Sequence, residues 1–185
     1  MIKTEFSRRV ALTLGVTLLT GCVLLGGCKR RDKKIRVQQT DEDTVTMASV
    51  VQMGDPKVQS QLLKGFYNIE SNTWRWTMGK FAVALRPPRN AAAKGATLHL
   101  KFVLPEAVLS KIKTTSIWAS IGGTVLSPET YTQPGEFDYA RDVDGKLLAG
   151  EAVNVEFSMD KFLTSGMVED RELGVIATSV GFEAK

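Results

Sequence analysis

The chain has 185 residues, 43% hydrophobic and 24% charged, with two cysteines and one histidine. That suits one domain plus a tail and excludes collagen, coiled coil and wholesale disorder. Residues 1–36 carry nine Lys/Arg against two acids, a net of +7, while residues 37–185 carry fifteen against eighteen, a net of −3. The basicity therefore belongs to the tail, and the rest lacks the electrostatic footprint of a nucleic-acid binder. Only the N-terminus holds a long apolar run, which excludes a multispan membrane protein.

Lys3, Arg8 and Arg9 precede an apolar run from Val10 to Leu19, which resumes at Val23–Gly27 and is closed by Lys29-Arg30-Arg31-Asp32-Lys33-Lys34. A basic start, an apolar middle and a small-residue end predict an export signal. The alternative is an uncleaved anchor, but Val10–Gly27 is barely long enough to span and is interrupted by Gly and Thr. Both cysteines lie here, each ending a Leu-small-small-Cys group: Leu19-Thr20-Gly21-Cys22 and Leu25-Gly26-Gly27-Cys28.

These groups resemble the lipobox of bacterial lipoproteins. The resemblance implies a signal peptide within residues 1–27, cleaved before Cys22 or Cys28, and palmitate-like acyl chains on the new terminal Cys. Such chains bind a membrane with about 0.8 kcal/mol per buried CH₂. Cys22 leaves an apolar region of suitable length and has Thr20 at the second lipobox position. Cys28 would start the mature chain in polar residues and leave no spare thiol in an oxidising compartment. Both stay open, with Cys22 preferred. Ser7-Arg8-Arg9-Val10-Ala11-Leu12 resembles a twin-arginine export signal that lacks the usual aromatic at Ala11. The expected location is the cell envelope, anchored to a membrane and facing the periplasm or exterior.

Residues 28–44 are charged and Gln-rich, as expected of a solvated tether, and 45–185 form the domain. Val45–Met53 begins to alternate, Asp55-Pro56 marks a turn, and Val58–Leu63 reads as a short helix or irregular segment. Phe66–Ile69 is a short strand. Trp74, Trp76 and Met78 share one face and are expected in the core. Phe81, Val83 and Leu85 continue with the phase shifted by one, so a bulge at Gly79 would restore the face. Pro87–Asn90 breaks the strand and Ala91–Gly95 is a loop. Leu98, Leu100, Phe102 and Leu104 form the cleanest strand face, with His99 and Lys101 opposite.

Glu106–Ile112 has room for one or two helical turns. Ser116–Ile121 and Thr124–Leu126 flank Gly122-Gly123, a tight hairpin signal. Val153, Val155 and Phe157 form a second clean face, and Leu173–Phe182 reads as a central or closing strand. Many short strands with regular turns predict an all-β fold, an antiparallel, jelly-roll-like β-sandwich, with a small open barrel as the alternative.

Chemistry is sparse. His99 has no acid or nucleophile beside it in sequence, so no Ser-His-Asp site is framed. One His and no Cys in the domain support no metal site, and no cofactor is expected. Asp142-Val143-Asp144-Gly145 reads as a hairpin turn rather than a calcium loop. Glu169, Asp170 and Glu172 flank Arg171 in one loop; a glycosidase would need two carboxylates about 5–10 Å apart across a cleft, and the simpler reading is a polar loop. Trp118 is evenly balanced between core and surface; on the surface, its ring could stack on a sugar.

Gly65-Phe66-Tyr67-Asn68-Ile69-Glu70, Trp74-Arg75-Trp76-Thr77 and Asp170-Arg171-Glu172-Leu173-Gly174 are similar to motifs of β-sandwich domains in bacterial envelope proteins and some glycosyltransferases. The resemblance implies a carbohydrate-associated module. Besides Trp118, the ligand-binding candidates are then Tyr67, Glu70, Arg75, Asp170 and Arg171 of these motifs, although Glu70, Arg75, Asp170 and Arg171 are better read as an internal ion-pair network. The expected role is non-catalytic binding of a glycan or envelope component, with no nucleic-acid partner. The alternatives are an assembly factor that pairs through a sheet edge, or a polysaccharide-active enzyme using the Glu169–Glu172 loop.

Overall fold

The computed structural model describes residues 47–185. The expectations for Cys22, Cys28, the export signal and the tether fall outside these residues. Ten strands follow in order: β1 Val50–Gln52, β2 Leu62–Phe66, β3 Arg75–Leu85, β4 Ala96–Leu104, β5 Thr115–Ile121, β6 Thr124–Val125, β7 Glu129–Tyr131, β8 Gly135–Val143, β9 Val153–Met159 and β10 Ile176–Ala184. Two short helices, α1 Ala91–Lys94 and α2 Glu106–Ile112, and 3₁₀ turns at Pro56–Gln61 and Gly145–Leu148 connect them.

All pairings are antiparallel and the fold is a β-sandwich. One sheet holds β1, β10, β4 and β8; the other holds β2, β9, β5, β6 and β7; β3 belongs to both. It pairs with β10 at Arg75 and Trp76, then with β9 from Lys80 to Leu85. Along β2, five steps of β3 (Thr77 to Ala82) stand against two of β2 (Phe66 to Lys64), so β3 bows outward as it changes sheets. Strands that switch sheets by such bends make the corners of sandwiches.

The inner faces are apolar by alternation, as expected: Leu98, Leu100, Phe102 and Leu104 of β4 and Val153, Val155 and Phe157 of β9 are buried. They meet across the layers through Phe102–Tyr131 (ring centroids 5.1 Å) and Tyr139–Phe157 (6.4 Å). Arg141 closes one side. It donates to Ser127 O at 2.8 Å, pairs with Glu129 at 2.9 Å and lies over the Tyr139 ring.

Trp74, Trp76 and Met78 are not core. In β3 the inward residues are Arg75, Thr77, Gly79, Phe81, Val83 and Leu85, one unbroken phase, while Trp76 is half-buried and Met78 exposed. Two polar residues hold inward positions because each is satisfied there. Arg75 donates to Met53 O and Tyr67 O, both at 3.0 Å, and the Thr77 hydroxyl accepts from Val175 N at 3.1 Å. Gly79 carries no phase slip. The phase change sits instead in β10, where Thr178 is the extra residue between Ala177↔Phe102 and Ser179↔Lys101. This bulge lets Val175, Ala177, Val180 and Phe182 all pack inward.

Gly122 and Gly123 form the two-residue turn between β5 and β6, with φ of 55° and 83°, the primed conformation that glycine adopts at least cost. Ala91–Lys94 is one helical turn rather than a loop; its amide caps run to Pro88 O and Asn90 O.

Candidate functional site

The candidate residues separate into two places. Tyr67, Glu70 and Arg171 come together at the end of the sandwich near the corner. A tight turn presents the first two: Ser71 and Asn72 take φ of 50° and 55°, and Glu70 O accepts from Thr73 N and Trp74 N. Non-glycine residues in this region carry strain, offset here by packing against Gly54 and by the Arg75 bond to Tyr67 O.

Arg171 reaches this turn from the 160–174 loop. Its Nη1 donates to Glu70 at 3.0 Å, its Nε to Glu169 at 2.6 Å, and its guanidinium lies 5.1 Å from the Tyr67 ring centre. The hydrogen bonds it donates to Glu169 and then to Glu70 raise its affinity for the proton further.

The network differs from the one expected. Arg75 lies beneath it, 3% exposed, and binds backbone carbonyls rather than acids; burial lowers its pKa. Asp170 contributes its backbone carbonyl to Ser165, and its carboxylate forms no ion pair among the described residues. Glu169 takes the place given to Asp170. Glu172 turns inward and accepts Gly79 N–H at 2.8 Å. One ring face of Tyr67 is thus covered by Arg171, and the carboxylates of Glu169 and Glu172 are committed to positioning the chain.

Trp118 stands elsewhere. In β5 every odd residue from Thr115 to Ile121 is buried and every even one half-exposed, so Trp118 lies on the outer face. Its flanks on that face are Ser116 and Ser120, and its cross-strand neighbour is Ser158, itself opposite Lys80. Ser116 Oγ is 2.8 Å from Thr130 Oγ1. Strands β9 and β3 separate Trp118 from β2 and Tyr67, about 14 Å at ordinary strand spacing. The fold therefore does not unite Trp118 with the Tyr67 cluster.

Sequence reasoning missed the surroundings of His99. Its Nδ1 lies 3.0 Å from Asp138 of β8, and its Nε2 lies 3.2 Å from Glu183 of β10 outside hydrogen-bonding geometry. The acids are far away in sequence, and only the β10-β4-β8 order brings them together. His99 and Lys101 line a groove of about 300 Å³ together with Ser179 and Gly181 of β10.

No family model matches the chain, and no curated protein does. Among solved structures, it is similar to an exo-β-1,3-galactanase from Phanerochaete chrysosporium crystallised with β-1,3-galactotriose, at 7% identity and a TM-score of 0.37. The match covers 74% of this chain and 29% of the galactanase chain, less than a third of that protein's length. A likeness this distant carries no argument about activity.

Proposed function

We propose that the chain is an exported, lipid-anchored envelope protein whose β-sandwich binds a glycan without catalysing its turnover. The observation that carries the binding role is the outer face of β5, which Trp118 shares with Ser116 and Ser120 and on which it stands opposite Ser158 of β9. Sugars present apolar C–H faces that stack on aromatic rings and hydroxyls that need polar neighbours. An open sheet face suits an extended polysaccharide better than a small enclosed ligand. The anchoring role is supported by the two Leu-small-small-Cys groups at the end of the apolar run and the polar stretch that follows them.

The test of binding is a panel of envelope polysaccharides with Trp118→Ala and Tyr67→Ala. Loss of binding in the first alone is expected. Equal retention in both variants would overturn the role of this face. Anchoring is tested by mass spectrometry of the membrane-extracted protein: an acyl adduct on Cys22 or Cys28 is expected, and an intact N-terminus with two free thiols would overturn it. A second reading, assembly with a partner strand, is favoured by one observation. β8 is a nine-residue edge strand that pairs only with β4 among the described residues. A stoichiometric complex formed through that edge, with no glycan binding, would select it.

A further inference from the structure

The chain enters the described domain at a particular pole of the sandwich. Arg86 N–H donates to Ala48 O at 3.1 Å, and Gln61 bridges Ala48 and Ala84. Leu85, immediately before Arg86, pairs with Val153, which follows the 144–152 loop. That loop packs under α1, with Gly145 against the carbonyls of Ala91 and Ala92. The segment leading in from the tether, the 86–95 connection and the 144–152 loop therefore share one end, the proximal pole.

Its charge is distinctive. The loops there carry Arg86, Arg89, Lys94 and Lys146 against Asp144 and Glu151, with Lys185 paired to Asp142 at 2.8 Å, whereas the loops near the opposite end (54–57, 67–74, 105–114 and 160–174) carry seven acids against five cations. Arg86 and Arg89 are exposed and form no ion pair among the described residues. They line a depression of about 470 Å³ with Ser49, Pro87 and Pro88, in whose wall Glu151 is the one acid. Two prolines hold the arginines on a stiff connection, and guanidinium is the side chain best matched to phosphate.

We propose that this pole is a docking face for an anionic phospholipid bilayer, with Arg86 and Arg89 engaging lipid phosphates beside the point where the tether joins the domain. The inference rests on the lipid-anchor reading for its occupant. A short tether attached at the same pole holds these arginines near the headgroups, and the net acidic opposite end is repelled from them. The domain would then stand upright, with the Tyr67–Arg171 end pointing away from the membrane.

The test uses the full chain with Cys22→Ser and Cys28→Ser, which removes acylation, and vesicles of phosphatidylcholine alone or mixed with phosphatidylglycerol. The readout is the ratio of partitioning into anionic over neutral vesicles, in which apolar insertion of the N-terminal run cancels. Each basic residue near an anionic surface contributes about fivefold, so Arg86→Gln with Arg89→Gln should lower the ratio about thirtyfold. Lys111→Gln with Lys161→Gln, the same charge removed from the opposite end, should leave it within about twofold. Arg89→Gln alone, at an exposed loop position, should lower it about fivefold. Equal losses in the two pairs, no loss in either, or no anionic preference in the parent chain would overturn the proposal. Acylation is scored separately on the native protein, so failure of the anchor and failure of the docking face are read from different measurements.

Discussion

The carboxylate of Glu172 accepts the backbone N–H of Gly79 at 2.8 Å, across 93 residues of chain. Gly79 lies where β3 passes from β10 to β9, and neither neighbour supplies an acceptor there. A side chain from the connecting loop therefore completes the ladder at the corner. The Phe162 ring occupies the space a Cβ at Gly79 would need, so the loop is seated at this point by both a polar and an apolar contact.

Glu172→Ala should destabilise the fold by about 1–3 kcal/mol, because it leaves a half-buried amide without a partner. Glu172→Gln keeps an acceptor oxygen and should cost less than half as much. Urea denaturation separates the two; equal losses would mean that the carboxylate's charge, not its hydrogen bond, matters.

Arg75 is held by two carbonyls rather than by a counter-charge. Arg75→Ala removes both bonds and buried volume, with an expected loss of about 2–4 kcal/mol. Arg75→Lys cannot present donors to Met53 O and Tyr67 O in the same fork and should recover less than half. A fully stable lysine variant in thermal denaturation would contradict this.

Tyr131 is 3% exposed and its hydroxyl has no partner in bonding geometry. Burial first, then the Glu129 carboxylate, raises its pKa well above the usual tyrosine value. The neutral form is therefore favoured by folding: this contribution is intact below about pH 10, the unfolded value, and is lost as pH rises through the higher folded value. Tyr131→Phe should raise stability at neutral pH by about 1 kcal/mol and flatten the loss above pH 10. An unchanged alkaline limb in a pH series would refute the assignment.

Asp142 behaves in the opposite sense. Hydrogen bonds from Lys185 and then Thr97 hold its carboxyl below the usual range. Its contribution is present above the unfolded value and fades as pH falls through the folded one. Asp142→Asn should shift the acid limb of the stability profile slightly and leave the neutral region unchanged, since the group is exposed.

Binary alternation made the sheet faces of β4 and β9 legible in advance, because a buried strand face needs an apolar residue at every second position. The glycine pair at 122–123 was equally legible, since only such residues take both turn positions without strain. The same rule misread β3. Trp74, Trp76 and Met78 are more apolar than Arg75 and Thr77, yet the smaller polar pair points inward because carbonyls and an amide from distant segments satisfy it. Nothing local to residues 74–78 announces those partners.

The candidate site shows the same division. Arg171 pairs locally with Glu169, as a two-residue spacing allows, but its second acid, Glu70, is 101 residues away. Composition and order along the chain were enough to determine an all-β domain after a basic, cysteine-bearing N-terminal segment, because apolar periodicity and charge blocks are properties of neighbours. Which polar residues meet, at which end of the sandwich residues 47–49 enter, and on which sheet face Trp118 lies depended on strand order and on where β3 and β10 bend. Those choices are settled by hydrogen-bond satisfaction between segments that the sequence leaves far apart.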